Sequence, residues 1–102
     1  MNRLDHLLVI FGEECNEVAQ ETAKALRFGI YEQRDLPTTN IERMGVELSQ
    51  LLAMAEMLKD EGYEIPIYAD VMDAKKEKVE KYLAYSKHLG RLTEDPEKEK
   101  PA

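Results

Sequence analysis

Residues 4–28 read LDHLLVIFGEECNEVAQETAKALRF. The apolar or small positions Leu4, Leu8, Phe11, Cys15, Val18, Thr22 and Ala25 recur in this stretch at alternating spacings of four and three. That periodicity marks one buried face of a helix. The helix is expected from about Asn2 to Phe28, and Gly29 behind it suits a left-handed C-cap.

Downstream, the polar run from Gly29 to Thr38 contains Pro37 and reads as a loop. Thr39 precedes Ile41, with Glu42 three residues after Thr39, which is the pattern of a capping box. A second helix is expected from about Asn40 to Glu61, with the stripe Ile41, Met44, Leu48, Leu51, Leu52, Ala55 and Leu58. Gly62 stops it, and Tyr63 to Ala69, with Pro66, is a connector. Asp70 can cap a third helix reaching about His88, with Val79, Leu83 and Tyr85 or Tyr82 on its inner side and Gly90 after it. No segment alternates as a half-buried strand does. The expected fold is therefore all-α: one domain over residues 1–92, built as a bundle of three main helices. Thr93 to Ala102 is charged residues, Pro and Ala apart from its first residue, and is expected to be a disordered tail.

A chain of 102 residues buries only a modest core, so self-association is a natural way to add buried surface. The net charge of −7 argues against partners gripped through a phosphate backbone, and against anionic membrane surfaces. It remains compatible with a phosphorylated small molecule when a divalent cation stands between the two sets of negative charge. With one cysteine there is no internal disulfide, which fits a reducing compartment. The apolar run Leu7 to Phe11 is too short for a membrane span and lacks a cleavage site, so a cytoplasmic protein is expected.

The carboxylates carry the functional signal. Glu14, Glu17 and Glu21 form a row on the first helix, each one position from the stripe residues Cys15, Val18 and Thr22. One position is about 100° around a helix, so the row borders the buried face. Glu47 and Gln50 are three apart on the second helix and lie beside Leu48 and Leu51. If the helices pack through their stripes, a glutamate pair of the first helix faces Glu47 and Gln50, and three carboxylates and an amide oxygen meet at the core's edge. Such a cluster needs a compensating charge. Mg²⁺ is the candidate, with Mn²⁺ as its substitute, because it takes hard oxygens and shares them with substrate phosphates. A row of glutamates is also what a solvated helix surface looks like; the matching pair on the second helix moves the balance towards a site.

The stretches Glu13–Gln20, Lys24–Gly29 and Glu47–Ala53 resemble the MazG-like all-α nucleotide pyrophosphohydrolases. The pattern of that family is Glu-Glu-x-x-Glu on one helix and Glu-x-x-Asp on the next. The stretch Lys78–Ser86, with Gly90 after it, is similar to the small single-domain members of phages and bacteria. The resemblance covers the chain up to Leu92. It implies a helical bundle completed by dimerisation or tetramerisation, and Mg²⁺-dependent hydrolysis of a nucleoside triphosphate to the monophosphate and pyrophosphate. It implies Glu14, Glu17 and Glu47 as catalytic metal ligands, and Lys78 as a phosphate contact. Where the family often has an arginine one turn later, this chain has Tyr82, with Lys81 beside it. Lys78, Lys81, Tyr82 and Lys24 are accordingly the substrate-binding candidates.

Gln50 departs from the family pattern, since it stands where the family has aspartate. A glutamine oxygen can still join the metal's ligands, but it brings no charge and cannot act as a general base. The alternative is therefore a catalytically impaired relative that binds a nucleotide or a protein, and a third reading is a purely structural oligomer. The remaining residues have plain explanations. Lys24 and Arg27 complement the end of the first helix dipole, with phosphate contact from the rim of the site as their functional reading, and Cys15 is a buried small hydrophobe. His6 and His88 lie on the surface. Met44, Met54 and Met57 are core. Tyr82 and Tyr85 stack on a base or lie at a subunit interface.

Overall fold

The computed structural model describes residues 1–94, so the expected tail lies outside the described residues from 95 onward. The described residues are helical with no strand: α1 is Arg3–Phe28, α2 is Asn40–Asp60 and α3 is Ala69–His88. The chain divides into two compact units, one holding residues 1–65 and the other beginning at Pro66.

The helix ends follow local chemistry. Asn2 caps α1 in a reciprocal box with Asp5, and Thr39 caps α2 in the expected box with Glu42. At the C-termini of α2 and α3, Gly62 and Gly90 take φ of 92° and 70°. Each closes a Schellman motif: Tyr63 N–H donates to Leu58 O and Arg91 N–H to Ser86 O, both at 2.8 Å. Gly29 has the expected positive φ, but its ψ of 145° is extended and not that of a left-handed helical turn. Asp70 does not cap α3. The cap is Tyr68, without a side-chain hydrogen bond, and Asp70 lies inside the first turn, where it favours the helix dipole.

In the first unit, α1 and α2 form an antiparallel hairpin. Leu7, Met54 and Leu58 make its core, with Leu4 and Phe11 packed against them. Each such leucine contributes about 1.5–3 kcal/mol by leaving water. Arg3 Nε and Glu61 Oε1 pair at 2.5 Å near the same end, exposed to solvent and so of small consequence.

The contact faces correct the expected stripes. On α1 the buried and half-buried positions that keep this period are Leu4, Leu7, Phe11, Glu14, Val18, Glu21 and Ala25, while Leu8, Cys15 and Thr22 are exposed. Both series alternate threes and fours and share four members, so period alone does not separate them. Polarity favours the wrong one, because the true face carries two glutamates. On α2, Asn40, Met44, Glu47, Leu51, Met54 and Leu58 turn inward, while Ile41, Leu48 and Leu52 are exposed. Met57 is exposed as well, and Cys15 is no core residue.

In the second unit α3 has no buried residue. Val79, Leu83, Tyr82 and Tyr85, expected on an inner side, are all exposed. Along one face Lys75, Lys78, Val79, Tyr82, Leu83 and Ser86 line an open groove of about 220 Å³.

Candidate functional site

The middle of the hairpin carries carboxylates where a helix pair would ordinarily place apolar side chains. Glu14 and Glu21 occupy inward positions on α1, and Glu47 occupies an inward position on α2. Glu17 lies on the same helix, exposed, one turn from each of the other two α1 glutamates. The Glu47 carboxyl is raised above its ordinary pKa. Partial burial is the largest cause, followed by the negative charges of Glu17, Glu14 and Glu21, with Lys24 opposing. These four carboxylates therefore share one electrostatic environment. Glu14 Oε2 is buried and has no hydrogen-bond partner. A buried carboxylate oxygen without a donor is costly, and a ligand or ion is one way to satisfy it.

The donor set is chemically suited to a hard divalent cation, since it consists of glutamate oxygens. Among the described residues, however, no three His, Cys, Asp or Glu side chains are already placed to hold a metal ion between them. Gln50 is exposed, and it does not share the inward face with Glu47. His6 and His88 are exposed, as expected.

The other substrate-binding candidates separate. Lys24 lies at the hairpin, its Nζ 3.2 Å from Glu21 Oε1. Lys78 and Tyr82 share the groove-lining face of α3, while Lys81 does not line that groove; all three are exposed.

Next to the carboxylates, towards the α1–α2 loop, is a polar core that periodicity does not reveal. Asn40 is fully buried. Its Nδ2 donates to Gly29 O at 2.7 Å, and its Oδ1 accepts from Arg34 Nε and Arg43 Nη2, both at 2.8 Å. Arg43 also donates to Thr38 Oγ1 at 3.0 Å, to the Thr38 carbonyl and to Gln33 O at 3.1 Å. Two guanidinium groups thus clamp the loop onto the start of α2. Glu21 faces both of them, with Oε2 at 3.4 Å from Arg34 Nη2 and 4.0 Å from Arg43 Nε. Arg34 and Asp35 hold the loop with φ of 54° and 58°, a left-handed conformation that costs a non-glycine residue about 1–2 kcal/mol. Arg27 and Arg34 approach the exposed Phe28 ring at 5.3 and 6.0 Å.

Sequence reasoning identified Glu21 as a neighbour of the site but missed Arg34, Asn40 and Arg43. The available signals were weak: an arginine in a polar loop, and an Asn and an Arg in the first turn of a capped helix. No helix of the described residues is long and apolar enough to cross a membrane. Comparison with protein-family models, with curated proteins and with solved structures finds no match for this chain in any of the three.

Proposed function

We propose that this protein is a metal-dependent nucleotide pyrophosphohydrolase that cleaves a nucleoside triphosphate to monophosphate and pyrophosphate. The observation that carries the reading is the carboxylate environment between α1 and α2. Glu47 is raised by partial burial and by Glu17, Glu14 and Glu21, and Glu14 keeps an unpartnered buried oxygen. Four acidic groups that raise one another's electrostatic cost favour uptake of a divalent cation, which would draw them together.

Glu14, Glu17 and Glu47 would hold Mg²⁺, with the Gln50 oxygen available to join after a side-chain rearrangement. Mg²⁺, when bound, supplies charge neutralisation and polarisation of a phosphoryl oxygen. The protein's own contribution is to gather the glutamates along the α1–α2 hairpin, where a cation would offset their mutual repulsion, and to offer a cation to the phosphates from Lys24. Lys78, Lys81 and Tyr82 belong to the proposal as further substrate contacts on α3.

Self-association belongs to the same reading. Leu8, Leu48 and Leu52 are 50%, 48% and 53% exposed, and α3 has no buried residue. Apolar faces of that extent call for a partner, and a homodimer or homotetramer supplies one.

The second reading is a relative that binds nucleotide without hydrolysing it. Gln50 favours it, being neutral and exposed where the family pattern has an acid. Pyrophosphate release from a panel of nucleoside triphosphates, with and without Mg²⁺, separates the two. Metal-dependent release that is abolished in Glu17→Ala and Glu47→Ala establishes the enzyme. A silent native protein that turns over as Gln50→Asp means that the scaffold lost its chemistry through that one position, and thermal stabilisation of the native protein by nucleotide then establishes the binder. Silence from every variant overturns the hydrolase.

A further inference from the structure

Glu21 is 13% exposed and meets three cations: Lys24 Nζ at 3.2 Å, Arg34 Nη2 at 3.4 Å and Arg43 Nε at 4.0 Å. Glu21 is the side-chain carboxylate that all three share, and Arg43 also has Glu42 beside it. This cationic cluster stands beside the glutamates at positions 14, 17 and 47. Lys24 connects the two halves, since it pairs with Glu21 and also acts electrostatically on Glu47.

The three cations are not equivalent. Arg43 is the most buried, 15% exposed, and its terminal nitrogens are engaged by Thr38, Gln33 and Asn40. It is a structural staple. Arg34 is 22% exposed and Lys24 33% exposed. Arg34 uses one N–H on Asn40 and one on Glu21, of the five that a guanidinium offers. The contact to Glu21 is long at 3.4 Å. The guanidinium stands against α1, 3.4 Å from Glu21 Oε2 and 6.0 Å from the Phe28 ring centroid. An arginine anchored at Nε by a buried amide is preorganised, so little side-chain freedom is lost when its outer edge takes an oxyanion.

We infer that Arg34 and Lys24 form a phosphate subsite in which Glu21 is the resident counter-ion, and that a phosphate group of the ligand displaces the Glu21 carboxylate from Arg34. Arg34 is then a ligand-contacting residue on the α1–α2 loop. The ligand class is a polyphosphate, one phosphate of which meets Arg34 and Lys24 while a cation on the neighbouring glutamates takes the adjoining phosphates. That second half rests on the function proposed above; the subsite itself does not need the metal.

The probe is inorganic pyrophosphate, titrated calorimetrically into the full chain at low ionic strength with a chelator present. The expected result is measurable binding that Arg34→Gln and Lys24→Gln each weaken about tenfold, the equivalent of one charge-assisted hydrogen bond. Glu21→Gln is expected to tighten binding, because the competing carboxylate is gone. A purely structural network gives the opposite sign, since Glu21→Gln would loosen the loop and weaken binding. Thermal melts of each variant establish that it is folded, and Lys24→Gln alters a helix-surface pair and leaves the loop intact. Pyrophosphate that does not bind, or binds equally to native, Arg34→Gln and Lys24→Gln proteins, overturns the subsite, as does weaker binding to Glu21→Gln. Because no metal or hydrolysis enters the titration, failure of the hydrolase reading leaves this result standing.

Discussion

Arg34 Nε donates to Asn40 Oδ1 at 2.8 Å, joining a left-handed loop residue to the first residue of α2. The amide is fully buried, and it also holds Gly29 O and Arg43. Asn40→Ala therefore leaves two guanidinium groups and a carbonyl short of a partner at once. The expected loss is about 2 kcal/mol, lowering Tm by on the order of 10 °C. Urea denaturation measures the first and a calorimetric melt the second. An unchanged midpoint would mean that the loop is held by other contacts.

Glu47 sets the pH dependence at the centre of the hairpin. Its folded pKa is raised, so the native state keeps a proton that the unfolded state has already released. This contribution to stability is present below the ordinary glutamate pKa. It is lost as pH rises through that value to the raised folded one. Glu47→Gln removes the penalty. The variant is expected to unfold at higher urea than the native protein at neutral pH, and at the same urea in acid. Added Mg²⁺ is expected to stabilise the native protein more than the variant, because a cation bound to the folded state gains from the Glu47 charge.

The α2 cap responds to pH with the opposite sign. Thr39 N–H donates to Glu42 Oε1 at 3.0 Å and the Thr39 hydroxyl at 2.9 Å, and these bonds, with Arg43 beside them, lower the Glu42 pKa. That stabilisation is present above the ordinary glutamate value and is lost as pH falls through the lowered folded value. Thr39→Ala is expected to cost about 1 kcal/mol at neutral pH. Unfolding curves of native and variant protein taken at successively lower pH should draw closer as Glu42 protonates, with a residual gap from the Glu42 N–H bond to Thr39 Oγ1, which does not titrate.

Gly12 and Gly45 lie inside α1 and α2, and a Cβ added at either meets nothing within 4 Å. Helix-interior glycine costs about 0.5–1 kcal/mol relative to alanine. Gly12→Ala and Gly45→Ala are each expected to stabilise the protein by that amount in urea titrations. A loss at either position would reveal a second surface seated against it.

The three helices were legible because their signals are local: a 3–4 period, a Thr39–Glu42 box, and glycines at the stops. The helix spans match to within a residue or two. The faces were legible only in part, because Leu7 and Leu8 are both apolar and both continue the period. What distinguishes them is the neighbouring helix, and its own stripe carried the same ambiguity at Leu51 and Leu52, of which Leu51 turns inward. Glu14 and Glu21 turn inward against their polarity, and for Glu21 the reason is visible in Lys24, Arg34 and Arg43. Arg34 comes from a loop thirteen residues further along the chain, and pairings of that kind leave no periodic trace.

The register itself can be tested with neighbouring leucines. Leu7 is 5% exposed and Leu58 1%, whereas Leu8 is 50% exposed. Truncating a buried leucine removes its transfer energy and leaves a cavity, so Leu7→Ala and Leu58→Ala are expected to cost about 2–4 kcal/mol. In the single chain Leu8→Ala should cost less than about 1 kcal/mol, as an exposed position does. Measuring all three by urea unfolding at low protein concentration checks the faces directly, and equal costs for Leu7 and Leu8 there would refute the observed register. The same series at rising concentration adds a second reading. Native stability should climb with concentration if folded chains associate. A cost for Leu8→Ala that grows in step would place Leu8 between the associating copies, while Leu7→Ala should keep one cost throughout.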